Sequence, residues 1–254
     1  MHQLDTLFVG RVFHDLPEVD STNAHALSLL SKSKPPEGTV VSARHQYAGR
    51  GQIGSGWESA PGKNITLSVI MYPVFLLVAR QFQFNQAISL ALCEFVAAQI
   101  PTPVTIKWPN DIYAGDRKIG GVLIQNAISG GQLRSSVVGI GLNVNQEAFY
   151  THPPNPTSFK LETGAEFDIA ALHAPLFRQI EASYLKLKSG NTVPLQQQYL
   201  QRLYRFGEPA AFQRNNGSFF QGVISGVATT GRLEITVEGQ PEEFGFKEIK
   251  FVQN

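Results

Sequence analysis

Two β-branched runs separated by a loop too rich in glycine for an ordinary turn set the first limit on the fold. Thr39 to His45 reads as one strand and Asn64 to Tyr72 as another. Between them lies Gln46-Tyr47-Ala48-Gly49-Arg50-Gly51-Gln52-Ile53-Gly54-Ser55-Gly56-Trp57. The pair is expected to form a hairpin with this loop at its tip. Four of the eight residues from Gly49 to Gly56 are glycine, out of 23 in 254. A turn needs one or two. Glycine admits positive φ and lets a backbone approach a ligand closely, and successive free N–H groups make an anion cradle. An arginine lies inside the run and a tryptophan closes it, whereas an idle linker would carry serine. The loop is therefore expected to bind an anion.

Literal motif matching misleads here. Gly49 to Gly54 fits G-x-G-x-x-G, but the dinucleotide version needs a helix at the loop and an acidic residue about 20 positions on. A strand follows instead, and no Asp or Glu occurs between Glu58 and Glu94. No His-Arg-Asp or Asp-Phe-Gly follows as in a kinase, and Gly62-Lys63-Asn64 is no Walker loop. Composition closes other routes. A net charge of +1 and the lack of like-charge blocks argue against a general nucleic-acid or membrane-surface binder. Cys93 is the one cysteine, so no intrachain disulfide can form. Its apolar helical setting marks a core residue and not a nucleophile. The N-terminus lacks a signal-peptide pattern, and the longest apolar run, Val69 to Ala79, is short and broken by Pro73. A soluble cytoplasmic protein is expected. No His, Asp or Glu spacing indicates a structural metal.

Along the chain the pattern predicts an α+β fold, a mixed β-sheet packed with helices. Arg11 to Leu16 reads as a strand, and Asp20-Ser21-Thr22-Asn23 opens a helix over Ala24 to Ser31. Leu76 to Ile100 has helical spacing and ends at Pro101. Strands are expected at Thr105–Lys107, Ile112–Tyr113, Lys118–Asn126 and Ser135–Val144, then a loop from Tyr150 to Lys160. Asp168 to Lys188 reads as an amphipathic helix, with a shorter one ending near Tyr204. From Phe206 short strands predict a second, all-β unit, at Ala210–Gln213, Phe219–Val227 and Arg232–Val237. Two domains are expected, residues 1–205 and 206–254. The second, small for a core of its own, should pack on the first.

Lys107, Asp111, Arg117 and Lys118 bracket two strands and a reversal at Gly115-Asp116, which could bring Asp111 and Lys118 to one end of the sheet. A cation and a carboxylate beside a glycine loop suit phosphate chemistry, the aspartate holding Mg²⁺ or a ligand N–H. A solvated hairpin with incidental charges is the plainer alternative. Against it stands Trp108-Pro109-Asn110-Asp111, whose rigid lead-in fixes where the Asn-Asp pair points. Ser21-Thr22-Asn23 likewise exceeds what a helix cap needs. Asn143, beside Gly141, is either a turn former or an amide offered to a base or phosphate.

Taken in order, these stretches resemble the biotin–protein ligase family, which includes the biotin–[acetyl-CoA-carboxylase] ligases and holocarboxylase synthetases. The resemblance rests on Asp20-Ser21-Thr22-Asn23; on Gln46-x-Ala48-Gly49-Arg50-Gly51-x-x-Gly54-x-x-Trp57; on Lys107-Trp108-Pro109-Asn110-Asp111 with Arg117-Lys118-x-Gly120-Gly121; and on Gly139-x-Gly141-x-Asn143-x-Asn145. It covers residues 10 to 145 directly. It implies the class II synthetase-like catalytic fold, and an SH3-like β-barrel for the C-terminal unit.

The resemblance also implies an activity, an ATP-dependent C–N ligation in two steps. Biotin's carboxylate attacks the α-phosphate of ATP, and a lysine of a biotin carboxyl carrier domain then takes biotin from biotinyl-5′-AMP. It implies ATP, Mg²⁺ and biotin as the small molecules, with Asp111 as the candidate Mg²⁺ contact. Ser21, Thr22, Asn23, Gln46, Gly49, Arg50, Gly51 and Lys118 would hold biotin. Arg50, Gln52, Trp57, Lys107, Asn110 and Asn143 would hold the nucleotide. Lys118, Arg50 and Asp111 would be catalytic. Many members carry further arginines where Gln52 and Ser55-Gly56 stand, so Arg50 is expected to carry more of the charge. Regulatory members place a DNA-binding unit ahead of the first motif. Only 20 residues precede Ser21, so a ligase without repressor activity is expected, as monomer or homodimer. Two other readings stay open: a lipoate or octanoate ligase or transferase of the same superfamily, and a biotin- or nucleotide-binding sensor without turnover.

Overall fold

The computed structural model describes residues 5–52, 55–150 and 155–252. In chain order the first part contains β1 (Phe13–Leu16), α1 (Thr22–Lys32), β2 (Val40–Ala43), β3 (Asn64–Met71) and α2 (Gln81–Ala97). It continues with β4 (Val104–Lys107), β5 (Asp111–Ala114), β6 (Arg117–Ser129) and β7 (Gln132–Asn143). Three helices follow, α3 (Phe159–Thr163), α4 (Ile169–Lys188) and α5 (Thr192–Gln201).

The seven strands form one mixed sheet in the order β1-β2-β3-β7-β6-β5-β4, with β1 parallel to β2 and the other neighbours antiparallel. β2 and β3 pair as the expected hairpin. β3 is buried along its whole length because the sheet is covered on both faces. On one side α1 packs on β2, β3 and β7 around Ala26, Val41, Ile70 and Val137. On the other lies α2, with α4 and α5 behind it. α2 buries thirteen of its seventeen residues, which is why it reads as apolar all round and not as a one-faced surface helix. It is shorter than its apolar spacing predicts. Leu76 to Arg80 form a connecting segment with one 3-10 turn, in which Leu77 bridges to Gln132 at the start of β7. Asp168 caps α4, its carboxylate accepting the Ala170 N–H at 2.9 Å. The buried Glu181 of α4 accepts the N–H groups of Leu7, Phe8 and Val9 at 2.7 to 3.0 Å, which pins the chain just ahead of β1.

The C-terminal part is a second antiparallel sheet: β8 (Pro209–Arg214), β9 (Phe219–Val227), β10 (Leu233–Val237), β11 (Gln240–Phe244) and β12 (Ile249–Phe251), in the order β11-β10-β9-β8-β12. Three of its strands fall where the sequence pattern puts them. β11 and β12 escape that pattern because one is mostly polar and the other has three residues. Among the described residues β11 and β12 do not pair with each other, so the sheet has two edges and the expected barrel is not closed. Phe220 stacks on both Phe212 and Phe244, and Phe251 meets Phe212 edge-on and Tyr204 at a tilt. The second sheet meets the first part through Trp108, whose indole N–H donates to Gly231 O at 2.9 Å and whose ring lies 5.1 Å from Phe246. No helix among the described residues is long and apolar enough to cross a membrane.

Candidate functional site

A cavity of about 810 Å³ opens where the glycine-rich tip folds over the β6–β7 part of the large sheet. Its lining gathers the separate motifs: Ser21, Thr22 and Asn23, the stretch from Gln46 to Gln52, Ser55 to Trp57, Asn110 and Asp111, Lys118, and Gly139 to Gly141 with Asn143. Residues more than a hundred positions apart therefore share one space.

The floor begins at the start of α1. Ser21 is the N-cap residue, yet its side chain makes no cap hydrogen bond, so its hydroxyl is not consumed by the helix. Thr22 donates to the Gln46 side-chain oxygen twice, from N–H at 2.7 Å and from Oγ1 at 3.1 Å. Asn23 is clamped from both ends. Its Oδ1 accepts from the hydroxyl of the fully buried Ser68 at 2.6 Å, and its Nδ2 donates to Gln125 Oε1 at 2.9 Å. Ser68 Oγ also lies 2.8 Å from Thr22 Oγ1. Asn23 fits only because position 139 is glycine: a Cβ there would lie 2.3 Å from Asn23 Oδ1. The sequence gives no signal for Ser68 or Gln125, since each reads as one residue of an apolar strand.

The tip is itself a small hairpin. Trp57 N–H donates to Gly49 O at 2.9 Å, Gly51 N–H to Ser55 O at 2.9 Å, and Arg50 bridges to Gly56. Glycine is needed at position 49, where a Cβ would lie 2.4 Å from Trp57 O. Ile53 and Gly54 lie outside the described residues. The Trp57 indole rests on Gly141, where a Cβ would lie 2.4 Å from the ring. Gln52 reaches across to Asn110, donating to Oδ1 at 3.2 Å, while Asn110 Nδ2 bonds Val122 O. Arg50 is exposed on the hairpin.

Lys118 and Asp111 meet at 2.7 Å, seven residues apart across the β5–β6 reversal. A register shift between Ile112 and Tyr113 leaves Ile119 as an extra residue on β6, a bulge of the kind that re-aims a side chain beside a site. The Lys118 ammonium also lies 6.0 Å from the Trp57 ring centre. Arg117 points elsewhere, to the nearly buried Glu162 at 2.8 Å. Asn143 is buried at the cavity wall, its Nδ2 bonding Thr157 O at 2.9 Å while its Oδ1 has no partner among the described residues.

Lys107 is not brought into this cavity. Its ammonium lies between Tyr113 of β5 and Phe251 of the second sheet, 3.1 Å from the Tyr113 hydroxyl and 4.8 and 5.1 Å from the two ring centres. Burial lowers its pKa, with Asp111 opposing that shift. The physical reason is packing: the aromatic seam offers a cation two π faces, and the lysine stem covers apolar surface on the way. Trp108 is likewise occupied by the second sheet. The lining also holds residues that the motifs do not single out, among them Glu58, Phe149 and Lys247, the last from the turn between β11 and β12. No group of three or more metal-binding side chains occurs among the described residues.

The arrangement offers neutral donors and acceptors at one end and cations with a carboxylate at the other. The model of the biotin/lipoate A/B protein ligase family matches residues 16–143. A biotin–[acetyl-CoA-carboxylase] ligase of Paracoccus denitrificans is 32% identical over 229 residues, covering 86% of this chain and 91% of that one. The corresponding ligase of Mycobacterium tuberculosis is 30% identical over 226 residues, covering 88% and 82%. The solved biotin protein ligase of Aquifex aeolicus, in complex with biotin and ATP, has the same fold, with a TM-score of 0.76 at 24% identity over 96% of this chain and 100% of that one. On this combination of matched motifs, shared fold and sequence identity, the chain belongs to the biotin/lipoate A/B protein ligase family.

Proposed function

We propose that the chain is an ATP-dependent biotin–protein ligase, a C–N bond-forming enzyme that makes biotinyl-5′-AMP and passes biotin to a lysine of a carboxylase's carrier domain. The observation that carries this reading is that one cavity contains the Ser21–Asn23 and Gln46 polar end, the Arg50 hairpin and the Lys118–Asp111 pair. Residues 1–205 form the catalytic domain in this reading and 206–254 the companion domain.

A neutral ureido ring suits fixed, neutral partners, which Ser21, Thr22, Asn23 and Gln46 provide. The difficulty of the first step is that a carboxylate must attack a phosphate, anion on anion. Lys118 and Arg50, with the N–H groups around Gly49 and Gly51, offset that repulsion and favour the more charged transition state. The Pα–O bond to pyrophosphate breaks as the carboxylate oxygen bonds to phosphorus. Trp57 packs over the adenylate, Gln52 and Asn110 close one side, and Asn143 faces the nucleotide. Exclusion of water protects the mixed anhydride from hydrolysis. In the second step the acceptor amine attacks the acyl carbon and AMP leaves. Asp111, held beside Lys118, orients that amine and takes its proton. Lys107 has no part in nucleotide binding in this reading. Mg²⁺ enters with ATP in this reading, with Asp111 as its candidate side-chain contact.

The test measures pyrophosphate release with ATP and either biotin or lipoate, then transfer of labelled biotin to a carrier domain. Biotin-dependent pyrophosphate release and labelling are expected. Release with lipoate alone would move the chain to the lipoate branch, and binding of biotin without release would make it a sensor.

A further inference from the structure

Among the described residues, three Lys or Arg side chains on three parts of the chain line the cavity: Arg50 on the tip hairpin, Lys118 on β6, and Lys247 in the β11–β12 turn. The acids Glu58 and Asp111 line it too. Even carried with Mg²⁺, a nucleoside triphosphate keeps net negative charge and biotin adds more, so a third cation in the wall adds to the attraction that Arg50 and the Asp111-paired Lys118 supply. The order of groups along the sheet shows where the third acts. Asn23 lies over β6 and β7, held at Gly139 and Gln125. Lys118 and Asp111 come next, on β6 and β5. Pro109 and Asn110, in the turn between β4 and β5, form the far end, where Trp108 meets Phe246 at 5.1 Å and Lys247 follows it. With the α-phosphate at Lys118, the β- and γ-phosphates extend away from the biotin end, toward Lys247.

The turn that carries Lys247 is braced. Glu248 accepts the Gly245 N–H at 2.6 Å and pairs with Arg232 at 2.9 Å, and the Phe246 ring sits on Trp108. Lys247 has a φ of 65°, a left-handed conformation that costs a side-chain-bearing residue about 1 kcal/mol. A glycine would adopt it freely. The lysine side chain is thus kept in the wall against backbone preference.

We propose that Lys247 is a further substrate-contacting residue, which binds the β- and γ-phosphates of ATP during adenylation and parts from them when pyrophosphate leaves. This rests on the ligase reading above. It makes the second sheet a contributor to the first half-reaction and leaves Lys247 idle in the second, which has no polyphosphate.

The experiment compares K247G, K247Q and K247R with the wild-type chain in two assays: pyrophosphate release with ATP and biotin, and biotin transfer from preformed biotinyl-5′-AMP to a carrier domain. Loss of one charge-assisted contact is expected to raise KM for ATP by about 10- to 100-fold in K247G and K247Q. KM for biotin and the rate of transfer from the preformed adenylate should stay at wild-type values, and K247R should recover most of the ATP effect. A thermal melt of each variant separates an ATP effect from a loss of fold. An unchanged KM for ATP in both neutral variants would overturn the proposal. So would an equal loss in transfer from the preformed adenylate, which would assign the lysine to carrier docking. A wild-type chain that releases no pyrophosphate with biotin would instead overturn the ligase reading itself.

Discussion

Gly139→Ala is the most informative single change at the biotin end. Position 139 lies in β7, and alanine is conformationally acceptable in such a strand, so any loss must come from contact. The new Cβ would lie 2.3 Å from Asn23 Oδ1, 2.9 Å from Cγ and 3.0 Å from Nδ2. Asn23 cannot retreat without loss, because Ser68 holds its oxygen at 2.6 Å and Gln125 its nitrogen at 2.9 Å. Moving it by about 1 Å leaves a buried hydroxyl or amide short of a partner, at about 1–3 kcal/mol. If that cost falls on the ligand-binding geometry, biotin affinity drops by about 5- to 150-fold. Calorimetric titration with biotin measures it, and a thermal melt of the unliganded protein separates it from global destabilisation. The control is Asn23→Ala, which lowers affinity by itself but removes the atoms with which Cβ collides. Adding Gly139→Ala to Asn23→Ala should then cost almost nothing further, a coupling that a double-mutant cycle reads directly. Wild-type affinity in the single variant, or an equal penalty with and without Asn23, would refute the reasoning.

Other outcomes follow from the geometry. Lys118→Met keeps the stem and removes the charge, and should slow biotin-dependent pyrophosphate release by about 100- to 1,000-fold, checked under single-turnover conditions. His173 stacks on Phe177, and burial lowers its pKa below the ordinary 6.5. Its neutral form therefore stabilises the fold fully above 6.5, and that share is lost as pH falls through and below this value; His173→Phe should flatten the dependence of Tm on pH between 6.5 and 5. Burial pushes the Cys93 thiol up to about 12, so a thiol reagent at neutral pH should label it only in denaturant.

Much of the site is legible in sequence because its parts are locally abnormal. Three consecutive small polar residues at a helix start exceed a cap's needs, and in the structure Ser21 leaves its capping role unused. A glycine density no turn requires marks the tip, and Asp111 and Lys118 sit at the spacing of a tight reversal. What escapes is whatever depends on tertiary placement. Ser68 is one polar residue in an apolar strand, and nothing nearby tells that its hydroxyl fixes Asn23. Lys107 belongs to the same motif as Asp111, yet Tyr113 of its own sheet and Phe251 of the other capture it between them. Lys247 has no local mark at all, because its meaning comes from a chain reversal far from the cavity in sequence. The shortened start of α2 has a similar cause: apolar spacing through Leu76 cannot show that Leu77 is committed to Gln132.

The cross-links inside the 49–57 tip bear on how a ligand enters. Because Trp57 is bonded to Gly49 and Ser55 to Gly51, the two paired arms of the tip can move together on their roots and need not separate from each other. Moving them lifts the indole from Gly141 and frees Gln52 from Asn110 while those rungs persist. Loosening the pair itself, by breaking its rungs, would let water reach a reactive intermediate even while substrate still bound.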